Sequence, residues 1–166
     1  LLSGIVGNKN VLHEEIDLAS YSYDCSSIRG APEAVVRPSS AEEVEEILSS
    51  CKETGIPVTP RGAGTSLVGG PVPLRGGIVI DTLRMREIIE VDEDSMTATV
   101  ECGLTISELN EKLDGLFFPV NPDGAGLSTI GGVIAEDAAS PLSAKYGTIG
   151  SMVMGVEIVL PTGEVL

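Results

Sequence analysis

Tryptophan is absent, and aromatic residues make up only 3% of the chain. The interior must therefore be filled by Ile, Val, Leu and Ala. Cationic side chains are also scarce: 10 Lys and Arg stand against 25 Asp and Glu, a net charge of −15. Binding along a nucleic-acid backbone or an anionic membrane surface needs basic patches, so neither is expected. The single histidine, His13, sits among solvent-facing neighbours, and no metal site is expected. Cys25, Cys51 and Cys102 are odd in number, widely spaced and without a CxxC pair. They read as reduced core-filling thiols, which fits a cytoplasmic location. No apolar run approaches the roughly 20 residues of a membrane span. Residues 1–7 lack the basic and long apolar regions of a signal peptide.

What the chain does have is a concentration of glycine. Its 166 residues, 42% hydrophobic, suffice for one domain with a sizeable core or for two small lobes. Within them Pro60-Arg61-Gly62-Ala63-Gly64-Thr65-Ser66-Leu67-Val68-Gly69-Gly70 packs four glycines and two hydroxyls into eleven residues. It follows a short β-like run, Ile56–Thr59. Such a loop lets the backbone take positive φ and brings N–H groups close to an anion. A phosphate cradle is the expectation. With few cations available, backbone amides and helix ends would have to hold the charge.

The surrounding pattern reads as α+β. Residues 3–20 suggest two helical pieces, the second over Val11–Leu18, capped by Asn10, with Val11, Leu12 and Ile16 on one face. Ala34–Arg37 is a strand stopped by Pro38. A helix then opens at Ser40, with Glu43 at capping-box spacing and Val44, Ile47, Leu48 and Cys51 forming a buried stripe. Gly55 ends it, and Ile56–Thr59 completes a strand–helix–strand unit that should be parallel and right-handed. Runs at 77–81, 87–92 and 96–101 suggest an antiparallel section. Thr105 and Glu108 have capping-box spacing for a helix to about Asp114. Residues 116–126 form a loop rich in Pro, Gly and Asn. Ser128 and Thr129 then open a small-residue helix running to Ala139. Its N-terminus is a second candidate phosphate site, and tight packing of a capped, glycine-containing helix is the competing reading. Met152–Leu160 reads as a long apolar strand and Pro161–Glu164 as a turn, after which Val165-Leu166 lacks a strand partner. The chain reads as an interrupted domain.

Two common phosphate motifs fail on the 60–70 loop. Gly70-Pro71 stands where a Walker loop needs Lys and Ser or Thr, and Leu67 takes the third glycine position of a Rossmann fingerprint. The loop instead resembles the first pyrophosphate loop of the vanillyl-alcohol-oxidase, or PCMH-type, FAD-binding domain. Thr129-Ile130-Gly131-Gly132 through Ala138, with Lys145-Tyr146-Gly147, resembles that family's second flavin loop. Val156–Val165 is similar to the strand and turn that follow it. The wording is most like the FAD-binding subunits of the glycolate oxidase and D-lactate dehydrogenase branch.

This resemblance implies a two-lobed domain, a small parallel βαβ lobe over about 1–60 and a mixed or antiparallel lobe with flanking helices over about 61–166. The substrate cap would be absent. It implies non-covalent FAD, because Thr65 stands where covalent relatives often carry His. Cofactor contacts would come from Pro60, Arg61, Gly62, Ala63, Gly64, Thr65, Ser66, Gly69 and Gly70. On the second segment they would come from Pro122, Ser128, Thr129, Gly131, Gly132, Ala135, Asp137, Ala138, Tyr146 and Gly147, and the backbone of Ile158 would pair with the adenine edge. The sequence departs from the family at Asn121, Val133, Asp137 and Ala139-Ser140. Asp137 would set a carboxylate near a pyrophosphate. No catalytic residue is implied within this chain, which alone is expected to be inactive. Its parent would oxidise a small 2-hydroxy acid and pass electrons to an acceptor protein or a quinone. The alternatives are the flavin domain of another PCMH-type oxidoreductase, and a non-catalytic nucleotide-binding or assembly module docking through the acidic helix at 40–54.

Overall fold

The computed structural model describes residues 1–122 and 126–166, so positions 123–125 of the expected 116–126 loop lie outside it. The chain forms two compact units. One comprises Leu1–Arg84 and Val156–Leu166, the other Met85–Gly155. The sequence reading set the division near residue 60. The structure divides after Arg84, because residues 61–84 carry a strand that pairs within the first unit.

In chain order the first unit contains α1 (Leu2–Val6), a 3-10 turn (Asn8–Asn10), β1 (Val11–Leu12) and α2 (Glu15–Ala19). These are followed by β2 (Ala34–Val36), α3 (Ala41–Thr54), β3 (Val58–Arg61) and β4 (Ile78–Asp81). The sheet order is β1-β2-β4-β3, with β1 antiparallel to β2 and both β2 and β3 parallel to β4. The expected strand–helix–strand unit is present, but β4 lies between its two strands. The expectation that 77–81 belongs to an antiparallel section is corrected. All four β4 residues are buried, and an unbroken Ile-Val-Ile run is the pattern of a strand covered on both faces. Ile47 and Cys51 of α3 pack on this sheet with Val36, Ile78, Ile80 and Val6. Ser40 accepts the Glu43 amide at the start of α3, while the Glu43 carboxylate turns back to the Ser39 amide at 2.6 Å.

Three further expectations change in this unit. Asn10 does not cap a helix. It donates its side-chain N–H to the Val6 carbonyl at 2.6 Å, and Val11-Leu12 enters the sheet as β1. The helix begins only at Glu15 and leaves Ile16 83% exposed. The strand expected over Met152–Leu160 is also absent. Only a Val159–Val165 bridge forms there, in a tight hairpin where Ile158 and Leu166 exchange backbone hydrogen bonds at 2.9 Å each. Val165-Leu166 thus pairs with the segment just before the turn. Finally, β3 starts two residues late and runs through Arg61, so the first two positions of the glycine-rich stretch are strand.

The second unit contains the antiparallel hairpin β5 (Ile88–Asp92) and β6 (Thr97–Val100), then α4 (Ile106–Lys112), α5 (Ile130–Ala135) and α6 (Ser143–Tyr146), with a 3-10 turn at Ile149–Ser151. The Thr105–Glu108 capping box forms in full. Leu104, Ile106, Leu109, Val120, Ile130, Val133, Ala138 and Ile149 make the core of this unit. The expected helix to Ala139 stops at Ala135, and Asp137 takes a positive φ of 44°. No helix among the described residues is long and apolar enough to cross a membrane.

Candidate functional site

The glycine-rich loop leaves β3 at its C-terminal end, next to the centre of the parallel sheet. Its shape comes from two buried charged side chains beneath it. The first is Arg61, the last residue of β3. Its guanidinium donates from Nη1 to the carbonyls of Tyr23 (2.8 Å) and Pro71 (3.5 Å), and from Nη2 to Ser20 (3.3 Å), and it stacks 5.5 Å from the Tyr21 ring centroid. Gly64 lies directly over this group. A Cβ at Gly64 would fall 2.3 Å from Nη2, and its φ of +73° is one that L side chains rarely adopt. Glycine is required there on both counts.

The second is Asp24, 5% exposed. One carboxylate oxygen accepts the Ser26 amide (2.8 Å) and hydroxyl (2.5 Å), and the other accepts the Gly69 amide at 2.8 Å. Burial alone would raise the Asp24 pKa. The hydrogen bonds from Ser26 and Gly69 outweigh it and hold the carboxyl below its ordinary value. The adjacent Cys25 amide donates to the Ser66 carbonyl at 3.0 Å. Residues 20–26 therefore form a strap that holds the loop from below at both ends.

Among the described residues, the amides of Ala63, Gly64 and Leu67 have no hydrogen-bond partner within the chain. Ala63 and Leu67 are exposed, Gly64 is half-buried, and a Cβ at Gly70 would meet nothing nearer than the Ser66 hydroxyl at 3.8 Å. A loop with free N–H groups and room in front of them suits an anionic, phosphate-bearing ligand. The Arg61 side chain serves the loop from beneath. Its charge is spent on three carbonyls of its own chain, so it shapes the loop.

The second segment behaves differently. The Ile130 amide donates to the Leu104 carbonyl, Gly131 to Cys102, Gly132 to the Thr129 hydroxyl, and Val133 to the Thr129 carbonyl. The N–H groups of the first turn of α5 are engaged within the chain, which favours the packing reading of this helix N-terminus. Gly131 permits close packing instead, since a Cβ there would lie 2.8 Å from the Cys102 Cβ. Ser128, Thr129 and Ala138 are buried. Pro122, Gly132, Ala135, Asp137 and Tyr146 are exposed, and Gly147 is half-buried. Asp137 accepts the Gly150 amide at 2.9 Å, which ties the end of α5 to the Ile149–Ser151 turn. Tyr146 meets Phe117 edge-on at 5.7 Å. The backbone N–H and carbonyl of Ile158 are both engaged by Leu166. A shallow concavity of about 380 Å³ in the second unit, lined by Arg86, Ile88, Leu104, Glu108 and Lys112, contains none of the expected cofactor residues.

Asp24 was missed as a site residue by the sequence reading. Its signal was an Asp two residues before a Ser in a short polar segment, a pattern of side-chain-to-backbone turns. Nothing in that segment alone says which distant amide it reaches.

A family model described as FAD binding domain matches residues 32–166. The chain belongs to the PCMH-type FAD-binding domain family. This FAD-binding domain is 38% identical over 149 residues to glycolate oxidase subunit GlcD of Bacillus subtilis, covering 88% of the chain and 32% of that protein. It is 41% identical over 154 residues to a D-lactate dehydrogenase of Archaeoglobus fulgidus, covering 89% and 34%. Among solved structures, alkyldihydroxyacetonephosphate synthase superposes with a TM-score of 0.87 at 28% identity, covering 96% of this chain and 35% of the other. The domain thus spans about a third of the length of the curated relatives it matches.

Proposed function

We propose that this FAD-binding domain is the cofactor-holding part of a flavin-dependent oxidoreductase that oxidises a 2-hydroxy acid of the glycolate or D-lactate type. The observation that carries the reading is the braced loop with free amides at Ala63, Gly64 and Leu67. The substrate class rests on the similarity to glycolate oxidase subunit GlcD and D-lactate dehydrogenase.

The Ala63, Gly64 and Leu67 amides of the 62–70 loop hold the pyrophosphate, which suits a chain of net charge −15 that keeps the Arg61 guanidinium under the loop. Asp24 and Arg61 fix the loop before the ligand arrives, so little ordering entropy opposes binding. When bound, FAD supplies the two-electron acceptor that takes a hydride from the substrate carbon. The exposed Pro122, Gly132, Ala135, Asp137 and Tyr146 are further candidate contacts on the second unit. FAD is held non-covalently, with Thr65 at the position where covalent relatives carry His. The electron acceptor of the parent enzyme would be a protein or a quinone.

Titration of the purified protein with FAD, followed by flavin fluorescence quenching, tests the cofactor. Saturable quenching is expected, with all flavin released on denaturation. Absence of quenching refutes the cofactor reading, and flavin retained after denaturation refutes the non-covalent one. Turnover of glycolate and D-lactate by the longer parent enzyme, against an artificial electron acceptor, tests the substrate class. A second reading, a PCMH-type flavoprotein acting on another substrate, is favoured by the similarity to alkyldihydroxyacetonephosphate synthase. It predicts flavin binding without turnover of either hydroxy acid.

A further inference from the structure

We infer that Asp24 is a positioning residue for the cofactor, acting through the Gly69 amide to hold the 62–70 loop in its anion-binding shape; this rests on the FAD reading above. The argument begins with the exposed tip of the loop. Leu67 and Val68 are 73% and 75% exposed and have little packing to hold them. On the N-terminal side Arg61 fixes the loop from beneath Gly64. On the C-terminal side the Asp24 carboxylate reaches the Gly69 amide at 2.8 Å, across 45 residues of sequence. Gly69 has a φ of +81°, and a Cβ there would fall 2.6 Å from Ile28 Cδ1, so its backbone is held closely in place. The Gly69 carbonyl in turn accepts the Val72 amide at 3.1 Å, which closes the turn that leads the chain back.

The carboxylate does not point at a ligand. Both its oxygens are engaged within the chain, by Ser26 on one side and Gly69 on the other. An anion this close to a phosphate loop would repel the ligand if it were free. Buried under the loop and bonded by three donors, it instead fixes the Gly69 amide and with it the C-terminal end of the loop. Ser26 extends the strap: its hydroxyl donates to Asp24 and accepts the Ile28 amide at 3.0 Å. Without the carboxylate, the Gly69 amide is left without its buried acceptor. The loop then samples conformers in which the unpartnered Ala63, Gly64 and Leu67 amides are not held in one arrangement, and apparent affinity falls by the fraction of competent conformer.

The test uses Asp24→Ala and Asp24→Asn in the purified protein, with two readouts: FAD affinity from fluorescence quenching, and amide hydrogen exchange by mass spectrometry without FAD. Asn keeps the acceptor for Gly69 and can donate to the Ser26 hydroxyl while losing the bond from the Ser26 amide, so it serves as the conservative variant that retains the Gly69 contact. Asp24→Ala is expected to weaken FAD binding about tenfold or more. Exchange should rise across 62–70 while α3 and β4 stay protected. Asp24→Asn should bind within about threefold of the unsubstituted protein. Unchanged affinity in Asp24→Ala overturns the role. So does exchange that rises equally in α3 and β4 with no rescue by Asn, because that result describes a general fold defect. If the unsubstituted protein itself does not bind FAD, the cofactor reading falls and this role falls with it, whereas binding by the parent with normal binding by Asp24→Ala overturns the role alone.

Discussion

Replacing Gly64 with Ala should be among the most damaging single-methyl additions in the first unit. The added Cβ would lie 2.3 Å from Arg61 Nη2 and 2.6 Å from Cζ, where no real contact can exist. Two terms set the magnitude. Holding an L residue at φ +73° costs about 1–2 kcal/mol. Pushing the guanidinium aside breaks at least the Nη2 bond to the Ser20 carbonyl, and a buried hydrogen bond to a charged donor is worth about 1.5–3 kcal/mol. The sum is about 2.5–5 kcal/mol, a large share of the ~5–15 kcal/mol that stabilises a typical domain. Gly4→Ala is the matched control. It lies inside α1 with open space around its Cβ and an ordinary backbone, so it should stabilise by about 0.5–1 kcal/mol. Urea denaturation of both variants, read by circular dichroism, gives the comparison. If Gly64→Ala lies within about 0.5 kcal/mol of the parent protein, surface-like in its effect, then Arg61 does not fill the space under the loop, and the account of the brace is wrong.

Other outcomes follow from the two cores and the caps. Ile47→Ala removes a fully buried side chain between α3 and the sheet, and should cost about 2–5 kcal/mol in the same urea assay. Gly131→Ala drives a methyl to 2.8 Å from the Cys102 Cβ and 3.0 Å from its carbonyl oxygen, and should lower stability by about 1–3 kcal/mol. Hydrogen bonds from the Thr105 amide and hydroxyl hold the Glu108 carboxyl below its ordinary value near 4.5, against a smaller opposing effect of burial and with help from Arg86. A depressed carboxyl contributes stability that is present above its unfolded value and lost as pH falls through its folded one. Glu108→Gln should therefore lower stability near neutrality and much less below the folded value, in stability measured as the pH is lowered. Thr105→Ala removes the hydroxyl that accepts the Glu108 amide, a bond that does not titrate, and should cost about 1 kcal/mol at every pH; no loss would refute the capping assignment.

The parts of the fold legible in the sequence were those whose signals are local. α3 announced itself through Ser40, the 44–47–48–51 stripe and Gly55, and α4 through Thr105 and Glu108. Each relies on contacts within a few residues. Strand order was not legible, because the pairing of β4 with β2 and β3 joins segments more than 15 residues apart. Its unbroken apolar run did carry the signal of a doubly covered strand, and reading it among alternating runs concealed that. Val11-Leu12 looked helical because apolar spacing cannot distinguish so short a strand from a helical face. The glycine-rich loop was recognisable as an anion-binding candidate from composition. The brace beneath it was not, since Arg61 and Asp24 look like any other charged residues until their carbonyl and amide partners, 10 to 45 residues away, are brought together. The α5 N-terminus shows the converse. Its hydroxyls and glycines suggested free amides, but Leu104 and Cys102 had already claimed them.

The first unit is discontinuous: Val156–Leu166 rejoins it after residues 85–155 have formed a unit of their own. The returning hairpin seats Gly163 so closely on α3 that a Cβ there would fall 2.2 Å from the Ser49 hydroxyl. This imposes an order of events during synthesis. β4 emerges from the ribosome about 85 residues (166 − 81) before that hairpin is complete, and at ~5–20 residues per second the wait is roughly 4–17 s. The inserted unit can fold in that interval by its own short-range contacts, while α3 waits for the hairpin that packs on it. A destabilised insert would delay the return of that hairpin to α3, so substitutions in residues 85–155 should appear as loss of soluble yield before they appear as loss of cofactor affinity.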